Sequence, residues 1–246
     1  MSEWIYGIHP ILELLKSRPE RISQLMLKSG ERNRSLGHLE ALAREAGIAI
    51  KTVDMAALNR ITTGGNHQGV AAKVEEFTYA DFDSFIMELQ GKSPAGDLVV
   101  LDGVQDPHNL GAILRSAEVF QAAGVIIPKD RSAAVTEVAI RASAGAANYM
   151  PVYRVVNLAR SLNQLKEVGY WIVGTEMKAQ DSLFQVDLRS PCAFVFGGEG
   201  EGLRRLIGQT CDLTLSLPVL GKIESLNVSV TCGIVLAESY RQKHSL

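Results

Sequence analysis

The chain has 246 residues, of which 46% are apolar and 21% are charged, and its formal net charge is −2. This balance is typical of a globular protein with one large domain or two modest ones, and it argues against global disorder and against a protein that coats nucleic acid through charge alone. No apolar run reaches the roughly 18 residues of a membrane helix, and the first residues lack a secretory pattern, so we expect a cytoplasmic protein.

Residues 1–76 alternate between short helical and strand-like segments, which predicts a small α/β domain. Apolar spacing predicts a helix at 8–15 and a second helix that ends before Gly47. Strands are expected at 21–28, 48–53 and 69–74. Residues 77–96 are expected to be a linker with one helical segment near 83–89, because the stretch ends in turn-forming residues.

From residue 97 to residue 246 the pattern changes to strands that alternate with helices. Such alternation predicts a parallel sheet covered on both faces, with ligands bound outside the carboxyl ends of the strands. The loops after the strands are therefore the places to search for a site. The predicted strands are 98–101, 125–127, 170–173, 193–196 and 213–217, and the predicted helices are 110–122, 158–168, 203–207 and 228–240.

The cysteines give no sign of a metal site or a disulfide framework. Cys192, Cys211 and Cys232 lie about twenty residues apart, with no CxxC pair and no histidine at ligand spacing. We expect free thiols in a reducing compartment and no metal ion.

The first polar loop runs from Asp102 to Gly111, directly after the strand at 98–101. Its Asp-Pro and Asn-x-Gly combinations are turn and cap signals, so Asn109 can cap the next helix while Arg115 extends from that helix's second turn. A helix cap with a surface arginine is one interpretation. The large number of polar residues directly after a buried strand favours a ligand site.

The second loop, at 197–202, has four glycines in six residues, which allow a ligand to approach the backbone closely. Its spacing fits neither the dinucleotide fingerprint nor a phosphate-binding P-loop, and Glu199 would repel a phosphate. A neutral or cationic ligand suits it better, and the adenosine and sulfonium of S-adenosylmethionine fit that description. The alternative is a flexible surface turn with solvated glutamates.

The third loop, at 217–229, is long for a connection between a strand and a helix, and long loops on an ordered scaffold are often functional. Ser225 and Asn227 are both natural N-caps for the last helix, and capping alone would account for either residue.

Together the three strings resemble the SpoU (TrmH-like) family of RNA 2′-O-ribose methyltransferases, within the SPOUT superfamily. All of the family's polar motif positions are matched, in order, over about residues 97–246. The N-terminal part is similar to the ribosomal-protein-like RNA-binding domain found in one branch of the family. The matching strings are Asp106-Pro107-x-Asn109-x-Gly111-x-x-x-Arg115, Gly197-x-Glu199-Gly200-x-Gly202, Leu217-Pro218 with Ser225-Leu226-Asn227-Val228-Ser229, and, in the N-terminal part, Tyr6-Gly7-Ile8-His9 and His67-Gln68-Gly69-Val70.

This resemblance implies a fold and an activity that pattern alone does not give. The fold would be a homodimer whose catalytic domain has a trefoil knot, and the reaction would methylate a guanosine of 23S ribosomal RNA from S-adenosylmethionine. The expected partners are RNA and a second copy of the chain, with no DNA and no membrane. The resemblance places one set of residues near the methyl donor: Thr175, Gly197, Gly198, Leu217 and Leu226.

The resemblance places a second set around the reacting hydroxyl: Asn109, Arg115, Glu199, Ser225 and Asn227. Because an arginine is too basic to serve as a free base, we expect Arg115 to clamp a phosphate and stabilise alkoxide charge. Three alternatives stay open: a transfer RNA methyltransferase, a non-catalytic RNA-binding or ribosome-assembly protein, and a nucleotide-dependent oxidoreductase. The intact motifs count against the second of these, and the missing dinucleotide fingerprint counts against the third.

Overall fold

The computed structural model describes residues 2–30, 34–75, 77–177, 179–200, 202–222 and 225–244. Its strands form two separate sheets, one in each half of the chain. No helix of the described residues is both long and apolar enough to cross a membrane.

The N-terminal sheet has four strands with helices between them. In chain order the elements are β1 (Ser2–Tyr6), α1 (Ile8–Ser17), β2 (Ile22–Lys28), α2 (Arg34–Glu45), β3 (Ala49–Val53), α3 (Met55–Ile61) and β4 (Val70–Glu75). The strand order is β1-β4-β2-β3, in which β4 runs antiparallel to both neighbours and β2 runs parallel to β3. The predicted helices and strands of this half are confirmed, whereas β1 and the seven-residue α3 were not predicted.

The segment between the two sheets contains helix α4 (Phe82–Leu89), which confirms the helical segment expected there. Asp81 caps this helix by accepting a hydrogen bond from Ser84 N at 2.7 Å. Phe82 packs edge-on against Tyr153 with ring centroids 6.0 Å apart, and Ala80 bridges to the same tyrosine. The segment therefore rests on the edge of the second sheet.

The C-terminal sheet has seven parallel strands in the order β7-β6-β5-β10-β8-β11-β9. The parallel α/β class expected from the sequence is thus confirmed. In chain order the elements are β5 (Leu98–Asp102), α5 (Pro107–Val119), β6 (Gly124–Pro128), α6 (Glu137–Ala142), β7 (Val152–Val155), α7 (Leu158–Glu167), β8 (Trp171–Thr175), β9 (Asp181–Ser182), β10 (Cys192–Gly197), α8 (Arg205–Thr210), β11 (Leu213–Ser216) and α9 (Val228–Lys243).

Two predicted helices of this half are shifted, and three short elements were not predicted. The helix expected at 110–122 is α5, which begins and ends three residues earlier. The helix expected at 203–207 begins at Arg205, because the N–H of Arg204 is held by a carboxylate outside the helix. No pattern predicted α6, β7 or β9, because elements of six, four and two residues are too short to show a clear period. The central strands β5 and β6 are buried along their whole length, as expected for strands covered on both faces.

The last helix, α9, is anchored at its carboxyl end to the amino end of β5. Asp97 accepts hydrogen bonds from Ser239 Oγ at 2.7 Å and from Cys192 N at 2.9 Å, and it also pairs with Lys243. Because Asp97 is only 8% exposed, these partners offset the cost of burying its charge. The anchor fixes α9 across one face of the sheet, so its first residue reaches the opposite edge.

Candidate functional site

A cleft of about 890 Å³ opens where β8, β10 and β11 end. Because parallel strands present their carboxyl ends at one edge of a sheet, the loops that follow them converge there. The cleft is lined by all five residues that the family resemblance places near the methyl donor: Thr175, Gly197, Gly198, Leu217 and Leu226.

The glycine loop, of which residues 197–200 and 202 are described, folds tightly back on itself. A Cβ at Gly197 would lie 2.5 Å from Leu203 N and would overlap the backbone of Gly202. The loop is closed by a hydrogen bond from Gly202 N to Gly198 O at 3.2 Å. Only glycine fits at position 197, and the loop's backbone consequently forms part of the cleft wall.

Asp102, at the end of β5, holds the glycine loop from both sides. Its carbonyl oxygen accepts a hydrogen bond from Gly198 N at 2.9 Å, at the start of the loop. Its carboxylate accepts hydrogen bonds from Arg204 N at 2.8 Å and from Arg204 Nε at 2.6 Å, just beyond the loop's end. The Asp102 side chain is completely buried, whereas that of Arg204 is 43% exposed. This ion pair therefore fixes the loop's shape and is a positioning element of the site.

At the mouth of the cleft, three polar side chains from the three loops form one cluster. Asn109 Nδ2 donates to a Glu199 carboxylate oxygen, and Asn227 Nδ2 donates to Asn109 Oδ1 at 3.0 Å. Asn109 is 7% exposed, so its carboxamide is bonded on both sides within a nearly dry environment. Residues far apart in sequence are thus brought into direct contact.

The structure corrects one capping prediction and confirms another. Asp106, and not Asn109, caps α5, by accepting a hydrogen bond from His108 N at 2.8 Å. Asn109 lies within the first turn of α5, where its side chain is available to the cluster. Asn227 does cap α9, through a hydrogen bond from Ser229 N at 2.9 Å.

The two remaining predicted residues lie differently from each other. Ser225 is exposed and lines the cleft beside the polar cluster. Arg115 is also exposed, but it lies six residues beyond Asn109 on α5, on the third turn rather than the second. Six residues of helix correspond to roughly 9 Å along the axis and roughly 120° of rotation, so Arg115 faces away from the cluster within this chain.

The cleft has the chemistry needed for a cationic, partly apolar ligand. Leu217, Val219 and Leu226 supply apolar walls, the glycine loop supplies backbone groups, and the carboxylate of Glu199 stands at the mouth. Among the described residues, no group of three His, Cys, Asp or Glu side chains is placed to hold a metal ion. The residues present therefore fit S-adenosylmethionine, whose adenosine is neutral and whose sulfonium is positive.

Sequence reasoning missed the pair formed by Asp102 and Arg204, and it missed Glu176 and Met177 in the cleft lining. The position of Asp102, directly after a buried strand, was a usable signal, because an acid there faces the functional edge of the sheet. The pairing with Arg204 had no such signal, since the two residues are separated by 102 positions.

Comparison with known proteins finds matches over both halves of the chain. Residues 97–237 match the model of the SpoU rRNA Methylase family, and residues 4–80 match the model described as RNA 2′-O ribose methyltransferase substrate binding. A 23S rRNA (guanosine-2′-O-)-methyltransferase RlmB from Xylella fastidiosa is 42% identical over 98% of this chain and 97% of its own length. The RlmB of Photorhabdus laumondii is 43% identical over the whole of both chains.

A solved structure supports the fold. The SpoU methyltransferase AviRb from Streptomyces viridochromogenes, crystallised with AdoMet, aligns with a TM-score of 0.82 at 24% identity. The alignment covers 100% of this chain and 92% of that one. Both halves of the chain, and not the parallel sheet alone, are therefore shared with that protein.

Proposed function

This chain belongs to the SpoU rRNA methylase family, and from that membership we propose that it methylates the ribose 2′-hydroxyl of a guanosine in 23S ribosomal RNA. The observation that carries the proposal is the cluster of Asn109, Glu199 and Asn227, which joins the three family motifs at the mouth of the cleft. The 23S substrate rests on full-length relatives named for that reaction.

The cleft is proposed to hold S-adenosylmethionine, which supplies a methyl group already activated on a sulfonium. Gly197 and Gly198 would accept the ligand against bare backbone, while Leu217 and Leu226 would cover its apolar parts. Thr175 is fixed for this role because its hydroxyl donates to Val195 O at 3.1 Å. These residues bind and orient the donor and keep water away from it.

The polar cluster is proposed to hold the ribose. An acceptor oxygen must lie about 3 Å from the methyl carbon, in line with the bond that breaks, and its proton must be accepted. Glu199, Ser225 and Asn227 lie at the mouth of the cleft, where they can hydrogen-bond a hydroxyl. Asn109 is hydrogen-bonded to Glu199 and to Asn227, and it positions both side chains.

Arg115 is proposed to clamp a phosphate next to the reacting ribose and to stabilise the developing alkoxide. Its guanidinium is exposed and has no hydrogen bond or ion pair to any residue that the structure describes. Replacing Arg115 by Lys keeps the charge but loses the planar fork, so we expect kcat to fall at least tenfold. Turnover equal to that of the wild type in Arg115→Lys would refute this role.

Because Arg115 faces away from the cluster of its own chain, we propose that a homodimer completes the site. The test mixes two inactive variants, Asn109→Ala and Arg115→Ala, after dissociating and re-forming the dimers. If each site takes Arg115 from the partner copy, random pairing restores about a quarter of the wild-type activity. If each chain supplies its own Arg115, the mixture stays inactive and the proposal fails.

The reaction itself is tested with radiolabelled S-adenosylmethionine and 23S ribosomal RNA that lacks the modification, followed by mapping of 2′-O-methyl positions. We expect one labelled guanosine, which is lost in Asn109→Ala and retained in the matched surface control Asn163→Ala. Label in transfer RNA alone would overturn the substrate and keep the chemistry. Absence of both label and donor binding would favour a non-catalytic RNA-binding protein.

We further propose a division of the chain into an RNA-binding domain at 1–76, a linker at 77–96 and a knotted methyltransferase domain at 97–246. The separate sheets support two units, and the two family-model matches fall on either side of residue 90. The trefoil knot is inferred from family membership. Because ribosomal RNA is the proposed substrate, we propose that the protein is cytoplasmic.

A further inference from the structure

A second pocket, of about 490 Å³, lies in the N-terminal half, and its described lining runs from Lys28 to Gly69. We call it the N-terminal pocket. Its volume falls within the range of small-ligand sites, roughly 300–1,000 Å³. Its lining includes the polar side chains of Lys28, Asn59, Asn66 and Gln68 and the apolar side chains of Leu36 and Met55.

The pocket forms where the end of β1 meets the start of β4. Gly7 N donates to Val70 O at 3.4 Å, and Ile8 N donates to Gln68 Oε1 at 3.0 Å. These contacts join the two N-terminal strings that the sequence singled out, residues 6–9 and 67–70. The strings are therefore parts of one structure, which the methyl-transfer site does not use.

His67 makes the pocket rigid. It is 5% exposed, and its Nδ1 accepts a hydrogen bond from Gly69 N at 3.0 Å. The ring proton must therefore be on Nε2, which donates to Asn59 Oδ1 at 3.0 Å. This bond uses the acceptor atom of Asn59 and leaves its N–H groups available. Gln68 adopts a φ of 52°, in the left-handed region, so its position is also enforced by its surroundings.

The available groups of the pocket are mostly hydrogen-bond donors. Among the described residues, Lys28 and Asn66 have no side-chain partner, and Gln68 uses only its side-chain oxygen. None of the described lining residues is acidic. Donors and one positive charge beside an apolar surface suit a ligand that has acceptor atoms, negative charge and a flat apolar face. A nucleotide has all three.

We propose that the N-terminal pocket holds one unpaired nucleotide of the RNA substrate, at a distance from the nucleotide that is methylated. The base packs against Met55, which is 42% exposed, and its edge bonds the amides of Asn59, Asn66 and Gln68. Lys28 contacts the neighbouring phosphate. A paired base cannot enter, so the pocket distinguishes an RNA with an exposed loop from a continuous duplex. The proposal relies on the proposed function only for RNA as the ligand.

The experiment measures the affinity of the full-length protein for two fluorescent RNAs: a stem–loop with unpaired loop nucleotides, and the fully paired duplex of the same stem. We expect Lys28→Ala and Asn66→Ala each to weaken stem–loop binding by about tenfold and to leave duplex binding unchanged. Neither residue has a described side-chain bond to lose, so both variants should fold. Affinity for S-adenosylhomocysteine should equal that of the wild type.

Two matched variants control for charge and residue type. Lys51→Ala removes one lysine from exposed strand β3, and Asn163→Ala removes one asparagine from the exposed surface of α7. The pocket would be overturned if the pocket variants bound the stem–loop as tightly as the wild type does. It would also be overturned if Lys51→Ala weakened stem–loop binding equally, or if the pocket variants lost equal affinity for the duplex. Methyl transfer is measured separately. If the wild type transfers no methyl group but the pocket variants still lose stem–loop binding, the proposed function is refuted and the pocket is supported. If the pocket variants transfer methyl groups normally with an unchanged KM for RNA, the pocket is refuted and the proposed function is supported.

Discussion

Arg204 offers the sharpest test of what keeps the cleft, the proposed site of the methyl donor, in shape. In Arg204→Ala the buried carboxylate of Asp102 loses the guanidinium, including the contact from Nη2 at 2.5 Å, and keeps only the backbone N–H of residue 204. Removing one partner of a fully buried ion pair costs about 3–5 kcal/mol. Because Arg204 is 43% exposed, solvent screens the pair, and we expect a loss nearer ~2 kcal/mol in the free energy of unfolding.

The same substitution should weaken donor binding by more than stability alone explains. The guanidinium ties the residue that follows the glycine loop to β5, so we expect its loss to loosen the loop's described residues, 197–200 and 202, in the unliganded protein. Ordering them again on binding should raise the Kd for S-adenosylhomocysteine about tenfold, which corresponds to ~1.4 kcal/mol. Urea denaturation gives the first quantity, and titration calorimetry gives the second.

The next residue along the chain provides the control. Arg205 is exposed and forms no described ion pair, so Arg205→Ala removes the same charge one residue further along without touching Asp102. We expect its stability and donor affinity to stay within ~0.5 kcal/mol of the wild type. If Arg204→Ala behaved like Arg205→Ala in both measurements, the ion pair would have no part in shaping the cleft.

Three further predictions follow from packing and burial. In Gly197→Ala the new methyl group overlaps the backbone of Gly202, so the affinity for S-adenosylhomocysteine, measured by calorimetry, should fall more than tenfold. In the control Gly37→Ala the methyl group meets nothing within 4 Å, so that affinity should equal the wild type's. Equal affinities in the two variants would contradict the tight loop. In Gly111→Ala the methyl presses on α6, 2.9 Å from Ser143 N, and thermal unfolding should report a loss of ~1–3 kcal/mol, with an unchanged Tm as the contrary result. Burial raises the pKa of Cys192 and of Cys211 to about 12, and that of Cys232 further. At pH 8 the thiols therefore stay protonated, and Ellman's reagent should react with them only after denaturation. Rapid labelling of the native protein would contradict this.

The sequence predicted which loops converge at the cleft, but it did not predict the contacts that hold them there. The three motif loops could be located because each follows a buried apolar strand, and parallel strands place such loops at one edge. Position along a helix was harder to predict: Asn109 has the composition of a cap, but Asp106 three residues earlier takes that role and releases Asn109 for Glu199 and Asn227. Local propensity cannot choose between two Asx residues in one turn, because the tertiary partners decide.

Contacts between distant residues explain what local pattern could not show. The salt bridge of Asp102 with Arg204 and the anchor of Asp97 on Lys243 join positions more than one hundred residues apart. Neither residue pair has a motif spacing, since such contacts exist only once the strand order is set. The same holds for α6 and β7, whose few residues fold as helix and strand because α5 and β6 lie against them.

The two anchors of β5 also explain how loops of polar residues can hold a fixed geometry. At its amino end, Asp97 fixes the carboxyl end of α9, and at its carboxyl end, Asp102 fixes the glycine loop. Helix α9 has 16 residues, roughly 24 Å at 1.5 Å each, so an anchor at Lys243 sets where Asn227 lies at the opposite edge. Asn109, Glu199 and Asn227 then meet because all three are connected to this one buried strand. Asn109 lies on α5, which follows β5, Glu199 lies in the loop that Asp102 holds, and Asn227 caps the helix that Asp97 holds. The relative placement of these three side chains therefore depends on buried contacts at the two ends of β5.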